Sequence, residues 1–354
     1  MKKRIHLVHY SSEPGGIEVL IPVFSRALLY YSYNAFVIRP PRFGQPNIYE
    51  NSSVTVEYGS KSRLYVFFQF VAYAFKNNKD IFHVFNIGPV YLFLLKLAGC
   101  NKVVYGIHGT VYWKNKWQRW YLKLVWKAAL SQRQRFTSNS LFSARMFHER
   151  ISSKIKITLL YNPINNKIFF LAKENINSVN KPMTIIYSGR LAKGKNLFTW
   201  LDIATVLSKK DLYIRFDIYG NGPLKNQLID YTEKQGISRL VTFKGHVEDI
   251  ASAYGNADLL LFLSEYESFG NVVVESILCG TPIIASSIPS MQEIFQNYPD
   301  FLVNLDANIE QNVIEKIDRL HELKAQLPKV MKEFESRFSL QQHTEKLNMI
   351  YNSF

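Results

Sequence analysis

Glu267 and Glu275 stand eight residues apart within Ser264 to Ser286, SEYESFGNVVVESILCGTPIIAS. Eight residues of helical rise would separate them by roughly 12 Å. They cannot share a proton at that distance, but they suit two parts of one extended ligand, such as a sugar and a ribose. Between them, Phe269, Gly270 and Asn271 offer backbone N–H groups at a helix start, a natural seat for phosphate. Arg190 and Lys195 stand five residues apart in another loop that precedes a helix. A cation there opposes the helix dipole unless an anion lies between them, and a diphosphate would accept charge-assisted bonds from both. Pro14-Gly15-Gly16 follows an apolar strand and precedes an amphipathic helix, a geometry that brings backbone to phosphate, although many turns use a glycine pair. His108-Gly109 follows another strand. A His there faces a ligand cleft or serves as a surface loop residue. Solvated loop and helix-surface carboxylates are the plain alternative for Glu267 and Glu275.

The segments around these residues alternate between strand and helix. Ala257–Leu263 and Pro282–Ala285 are apolar runs of the kind that form buried parallel strands. Between them Asn271–Cys279 reads as a helix, stopped by Gly280 with Pro282 beyond it. This strand, loop, helix and strand make a βαβ unit, with Glu267–Asn271 at the carboxyl edge where open α/β sheets bind ligands. Ile5–His9, Ala35–Arg39, Asp80–Phe85, Lys102–Ile107, Arg135–Asn139 and Ile155–Leu160 read as further strands. Thr184–Tyr187, Tyr213–Tyr219 and Val241–Gly245 do the same later on, and residues 311–351 read as largely helical.

The chain has 354 residues, 47% hydrophobic and 20% charged, enough for two globular domains with separate cores. Its two cysteines, Cys100 and Cys279, fall inside apolar elements, which excludes a disulfide framework and suggests a reducing compartment. The start is too short in apolar residues for a signal peptide. The longest apolar runs, Leu64–Phe75 and Val90–Leu97, fall short of the ~20 residues that span a bilayer. The net charge of +15 is uneven: residues 1–170 hold 24 Lys and Arg against 6 Asp and Glu, and the remainder holds 19 against 22. The first half is therefore at +18 and the second at −3. A half so basic seeks an anionic surface, whether nucleic acid, acidic lipid or a phosphorylated substrate.

Within that half, Val111–Leu130 reads as a helix with Trp113, Trp117, Trp120, Tyr121, Leu124 and Ala128 on one stripe. Lys116, Arg119, Lys123 and Lys127 gather on another. The pattern fits an interfacial membrane helix, and it also fits a helix that lays its aromatic stripe on a sheet and its charges in water.

Glu267-x7-Glu275, with Ser-Phe-Gly after the first Glu and Cys-Gly-Thr-Pro after the helix, resembles the signature of retaining glycosyltransferases of family 4. Pro14-Gly15-Gly16, His108-Gly109, Tyr161-Asn162-Pro163, the Gly189-Arg190 to Lys195 loop and the closing helix resemble the same family in the same order. Two positions depart from it: Asn165 stands where an acidic residue is usual, and Asn196 where Gly is common. The resemblance implies an α/β fold of the GT-B type, two Rossmann-like doubly wound domains facing across a cleft. Residues 1–168 would form an acceptor-side domain, 169–182 a linker, 183–337 a nucleotide-sugar domain, and 338–354 a helix returning to the first domain.

It implies that Gly15, Gly16, Arg190 and Lys195 contact the donor diphosphate, joined by backbone groups of Phe269, Gly270 and Asn271. Glu275 would hold the ribose, and Glu267 and His108 the sugar. No metal or other cofactor is implied, and no Asp-x-Asp motif is present to hold one. The expected donor is a nucleotide sugar, UDP-linked on family grounds. The expected acceptor is a lipid-linked or other oligosaccharide at the cytoplasmic face of an anionic membrane, in O-antigen, capsule or exopolysaccharide synthesis. Two other readings stay open at this point. A GT-B sugar-nucleotide epimerase would use the same donor without an acceptor. A nucleic-acid-binding protein would use the basic half but leaves the Glu-x7-Glu loop without a purpose, so nucleic acid is not an expected partner.

Overall fold

The computed structural model describes residues 2–12, 16, 21, 23, 28–40, 47–49, 52, 54–109, 115–164, 181–210 and 213–354. They divide into two compact units, Met1–Pro163 with Leu340–Phe354, and Ile164–Ser339. The chain thus leaves the first unit at Pro163, five residues before the boundary expected at 168, and re-enters it at Leu340. Only Lys181 and Pro182 of the expected linker are among the described residues.

The first unit is built on a seven-stranded parallel sheet of β1 (Lys3–Ser11), β2 (Tyr31–Arg39), β3 (Thr55–Tyr58), β4 (Ile81–Phe85), β5 (Lys102–Ile107), β6 (Arg135–Ser138) and β7 (Ile157–Leu159). Their order is β3-β2-β1-β4-β5-β6-β7, so the winding reverses between β1 and β4. Three helices, α1 (Arg63–Lys76), α2 (Pro89–Leu97) and α3 (Lys116–Ala129), connect successive strands, followed by α4 (Leu141–Arg150). One sheet face packs against α1 to α4 through Val66, Phe70, Leu92, Leu95, Trp126 and Phe147. The other face receives Leu347 and Tyr351 of the last helix, α12 (Leu340–Asn352). Each fully buried residue of this size contributes roughly 1.5–3 kcal/mol through lost water contact.

The second unit holds a six-stranded parallel sheet of β8 (Met183–Ser188), β9 (Ile214–Tyr219), β10 (Val241–Gly245), β11 (Leu259–Phe262), β12 (Ile283–Ser286) and β13 (Leu302–Val303). The order is β10-β9-β8-β11-β12-β13, reversing between β8 and β11. Helices α5 (Leu197–Ser208), α6 (Lys225–Lys234), α7 (Ile250–Asn256), α8 (Asn271–Leu278) and α9 (Pro289–Ile294) connect them, and α10 (Ile309–Asp318) and α11 (Leu320–Arg337) complete the unit. Residues 311–351, expected to be largely helical with a separate closing helix from 338, hold three helices with breaks near Arg319 and Phe338. In a doubly wound sheet the ligand crevice opens at the reversal, outside the strands' carboxyl ends. The loops that leave β8 and β11 carry Arg190, Lys195 and Glu267.

A glycine turn fixes the first of these loops. Leu191 N–H donates to Asn221 O and Gly189 N–H to Tyr219 O, both at 3.0 Å, so the loop is laced onto the turn after β9. A Cβ on Gly222 would lie 2.2 Å from Leu191 O, a backbone atom that cannot step aside. Gly222→Ala is expected to destabilise the second unit by about 2 kcal/mol. A thermal melt should show a midpoint roughly 4–8 °C lower; an unchanged midpoint would mean that the loop has slack.

Candidate active site

Arg190 is exposed on the β8 loop, and Tyr187 Oη donates to its carbonyl at 3.1 Å. Lys195 lies at the end of that loop, with its ammonium 5.8 Å from the centre of the Phe262 ring. The loop ends at Asn196, the N-cap of α5, with φ of +55°. That left-handed conformation explains why Asn replaces the glycine usual in the resembling family, since Asn tolerates it best among residues with a side chain. A backbone bond from Glu265 N–H to Gly194 O at 2.9 Å ties this loop to the one leaving β11.

The two loops meet in an ion pair: Lys195 Nζ donates to Glu267 Oε1, and both side chains are mostly buried. The sequence assigns these residues to separate parts of a ligand, and the structure brings them together. Phe269 is buried and anchors its loop edge-to-face on Phe338, with ring centres 5.4 Å apart. Gly270 follows as the N-cap of α8 at φ +91°, where a Cβ would also lie 2.7 Å from Met291 Cε. Having no side chain, it gives the helix start no side-chain cap.

Because α8 begins only at Asn271, the roughly 12 Å spacing taken from helical rise does not apply to Glu267, which lies in the loop ahead of it. Glu275 sits on α8. Tyr254 Oη, from α7, donates to Glu275 Oε2 at 3.3 Å and lies 3.0 Å from Ser188 Oγ at the end of β8. Loss of water around Glu275 raises its pKa to about 7, against the lowering effect of the Tyr254 bond. Tyr254 is fully buried and positions this carboxylate. Sequence reasoning missed it, as an aromatic residue on a short helix with no motif around it.

In the first unit, His108 follows β5 and is half-buried. Its ring folds back over its own strand: a Cβ on Gly106 would lie 2.7 Å from His108 Nε2, so Gly106 makes the space. Burial lowers its pKa to about 3, with His343 adding to the effect and an Asn162 side-chain bond opposing it. His108 is therefore a neutral ring at any ordinary pH, able to exchange hydrogen bonds with a hydroxyl and unable to supply charge. His343 Nδ1–H donates to Tyr161 O at 2.8 Å, so the last helix supports the turn that carries Asn162. Gly16 is exposed, and among the described residues nothing lies within 4 Å of where its Cβ would stand. Gly15 lies outside the described residues, as do Trp113 and Asn165.

The aromatic stripe of the basic helix does not lie on the sheet. In α3 the inward stripe is Leu122, Val125, Trp126 and Ala129, and Trp117, Trp120, Tyr121, Leu124 and Ala128 are exposed. Lys116, Arg119, Lys123 and Lys127 are exposed beside them. Of the two readings of that stripe, the one that lays it on the sheet is excluded: the inward positions repeat at the same helical spacing, and Trp126, outside the stripe, is the buried aromatic. Among the described residues, no helix is long and apolar enough to cross a membrane.

Residues 170–337 match the family described as Glycosyl transferases group 1, and residues 14–167 match Glycosyltransferase Family 4. The chain belongs to the family 4, group 1 glycosyltransferases, with their α/β fold of two Rossmann-like domains. It is 27% identical, over 68% of its length and 69% of the relative's, to an "Uncharacterized 41.2 kDa protein in cps region" of Klebsiella pneumoniae. It is 24% identical over 43% of each chain to the O-antigen biosynthesis glycosyltransferase WclY of Escherichia coli. Among solved structures it resembles Anabaena Alr3699/HepE in complex with UDP and glucose, with a TM-score of 0.81 and 17% identity over 99% of this chain and 100% of that one.

Proposed function

We propose that this glycosyltransferase moves a hexose or N-acetylhexosamine, with retention of configuration, from a UDP-sugar to a polyprenyl-diphosphate-linked sugar during O-antigen, capsule or exopolysaccharide synthesis. The observation that carries the donor half is the convergence of Arg190, Lys195, Glu267 and the start of α8 at the sheet reversal of the second unit. The relatives in cps and O-antigen synthesis support the polysaccharide setting, and the likeness to a UDP-bound neighbour supports the base.

In this reading the leaving diphosphate gathers negative charge as the glycosidic bond breaks. Arg190, Lys195 and the N–H groups of Phe269 to Asn271 meet that charge, with Gly15 and Gly16 approaching by backbone. Fixed donors aimed at developing charge are usually the largest single contribution to such catalysis, and here they take the place of a metal. Glu275 accepts hydrogen bonds from the ribose hydroxyls. Glu267 holds sugar hydroxyls, and neutral His108 exchanges a hydrogen bond with the sugar. The acceptor attacks the face from which the diphosphate departs, and a diphosphate oxygen takes its proton. The enzyme acts at the cytoplasmic face of the membrane, where such acceptors present their head groups.

Calorimetry with UDP, GDP and ADP in the presence of EDTA tests the donor half. Micromolar binding of UDP, unaffected by EDTA and weakened by Glu275→Ala, is the expected result. Binding that requires a divalent cation would remove the metal-free site, and no binding of any nucleotide would remove the reading.

A further inference from the structure

The first unit carries an outer surface whose chemistry the transfer reaction does not use. Helices α1, α2 and α3 lie on the same sheet face, as their buried residues share one core. Away from that core, α1 exposes Leu64 at 69%, Tyr65 at 58% and Phe68 at 64%, and α3 exposes Trp117 at 80%, Trp120 at 60% and Tyr121 at 53%. Side chains this large and apolar, gathered on neighbouring helices, are rare on a soluble surface without a partner. None of the three helices contains an Asp or Glu. Lys76, Lys116, Arg119, Lys123 and Lys127 lie on them, all exposed. Lys96 of α2 is engaged otherwise, donating to Ala128 O at 2.6 Å and closing the carboxyl end of α3.

Most of the exposed aromatics sit in the opening turns of their helices, with Phe75, 54% exposed, in the last turn of α1 as the exception. Leu64, Tyr65 and Phe68 fall in the first two turns of α1, and Trp117, Trp120 and Tyr121 in the first two turns of α3. Each helix follows a parallel strand and runs back across the sheet, so both beginnings lie at the strands' carboxyl edge. That is the edge where His108 ends β5, nine residues before Trp117 in the chain.

We infer that the outer face of α1 and α3, with α2 between them, is a bilayer-docking surface that inserts aromatic side chains at the interface of an anionic leaflet and brings the head-group layer to the edge that carries His108. Trp and Tyr have an apolar body and a polar tip, which suits them to the head-group level. Neither apolar insertion nor charge alone anchors a protein stably, and this face supplies both. Charge complementarity selects the occupant: an unopposed basic face fits acidic lipid, whereas two copies of it would repel each other. The inference deepens the proposal of a lipid-linked acceptor and rests on it for its purpose, but it extends beyond α3 to a second helix.

The test is sedimentation of the full chain with phosphatidylcholine vesicles and with vesicles that also contain phosphatidylglycerol. Binding only to the anionic vesicles, weakened by high salt, is expected. Trp117→Ser with Trp120→Ser should lower partitioning at least tenfold, and so should Leu64→Ser with Phe68→Ser on the other helix. Reversal of Lys116, Arg119 and Lys123 to Glu should lower it by about fivefold per charge or more. UDP affinity of each variant, measured in parallel, shows that its fold and donor site are intact. Wild-type UDP binding without vesicle binding would overturn the docking surface and leave the donor reading standing; vesicle binding without UDP binding would do the reverse. Equal binding to neutral vesicles, or variants that change only self-association in light scattering, would also overturn it.

Discussion

Replacement of Lys195 by Ala is expected to lower UDP release from a UDP-sugar by roughly 10²–10³-fold. The lysine is the cation held deepest among the loops of the sheet reversal, with Glu267 as its partner. In the donor-free protein the pair keeps two mostly buried charges neutral, and a diphosphate would compete with Glu267 for the ammonium. The Lys195→Ala change would leave Glu267 without its partner beside an arriving diphosphate, so repulsion adds to the lost attraction. Glu267→Gln is expected to be impaired as well, because its side chain would keep the shape and lose the charge that pairs with the lysine and, in the proposed reading, holds the sugar. Residues in direct contact do not contribute independently, so the double variant should be little worse than Lys195→Ala alone. The measurement is kcat/KM for the three variants, with thermal midpoints to confirm folding. A loss under fivefold for Lys195→Ala would make the ion pair structural. Strictly additive losses would show that the two residues act on separate parts of the reaction.

Most strands of both sheets are legible in the sequence because buried parallel strands are short apolar runs bounded by turns; β3 is not, since Thr55 and Glu57 interrupt it. Lys102–Ile107 and Val241–Gly245 are found at their observed bounds. Two-residue β13 is too short to leave such a run. Side-chain partnerships are much less legible. Lys195 and Glu267 are 72 residues apart and meet only because β8 and β11 are neighbours across the reversal. Tyr254 reaches Glu275 from a separate helix, a contact made by packing and unmarked by spacing. Periodicity also cannot say which of two apolar stripes turns inward. In α3 the stripe richer in tryptophan faces out, because α2 and the sheet leave room for Trp126 and Ala129 on the opposite side. Asn196 is legible only after its φ is known: the residue that departs from the resembling family satisfies the backbone demand that glycine usually meets.

The affinity for a UDP-sugar is expected to rise about tenfold from pH 6 to pH 8, and Glu275 is the reason. Loss of water holds its pKa at about 7 without donor, above its ordinary value of 4.5. In the proposed mode of binding, ribose hydroxyls donate to the carboxylate, so the ionised form is the one that would bind. At pH 6 about one molecule in eleven would carry it, and at pH 8 nearly all would, which sets the tenfold range. A UDP-sugar is the right probe, because its diphosphate is esterified at both ends and has no proton to lose near pH 6, as a terminal phosphate does. The effect on folding has the opposite sign. A carboxyl with a raised folded pKa favours the folded state below its unfolded value, and that contribution is lost as pH rises through 7. Buried His83, His108 and His343, whose pKa values are lowered, add stability above their unfolded value near 6.5 and lose it as pH falls. Donor affinity and thermal midpoint therefore need not move together between pH 6 and 8. Glu275→Gln should bind the donor about 10–100-fold more weakly, the worth of hydrogen bonds to a charged group, and with no pH dependence in this range. A pH dependence that survives in Glu275→Gln would assign it to another group and leave the ribose contact without support.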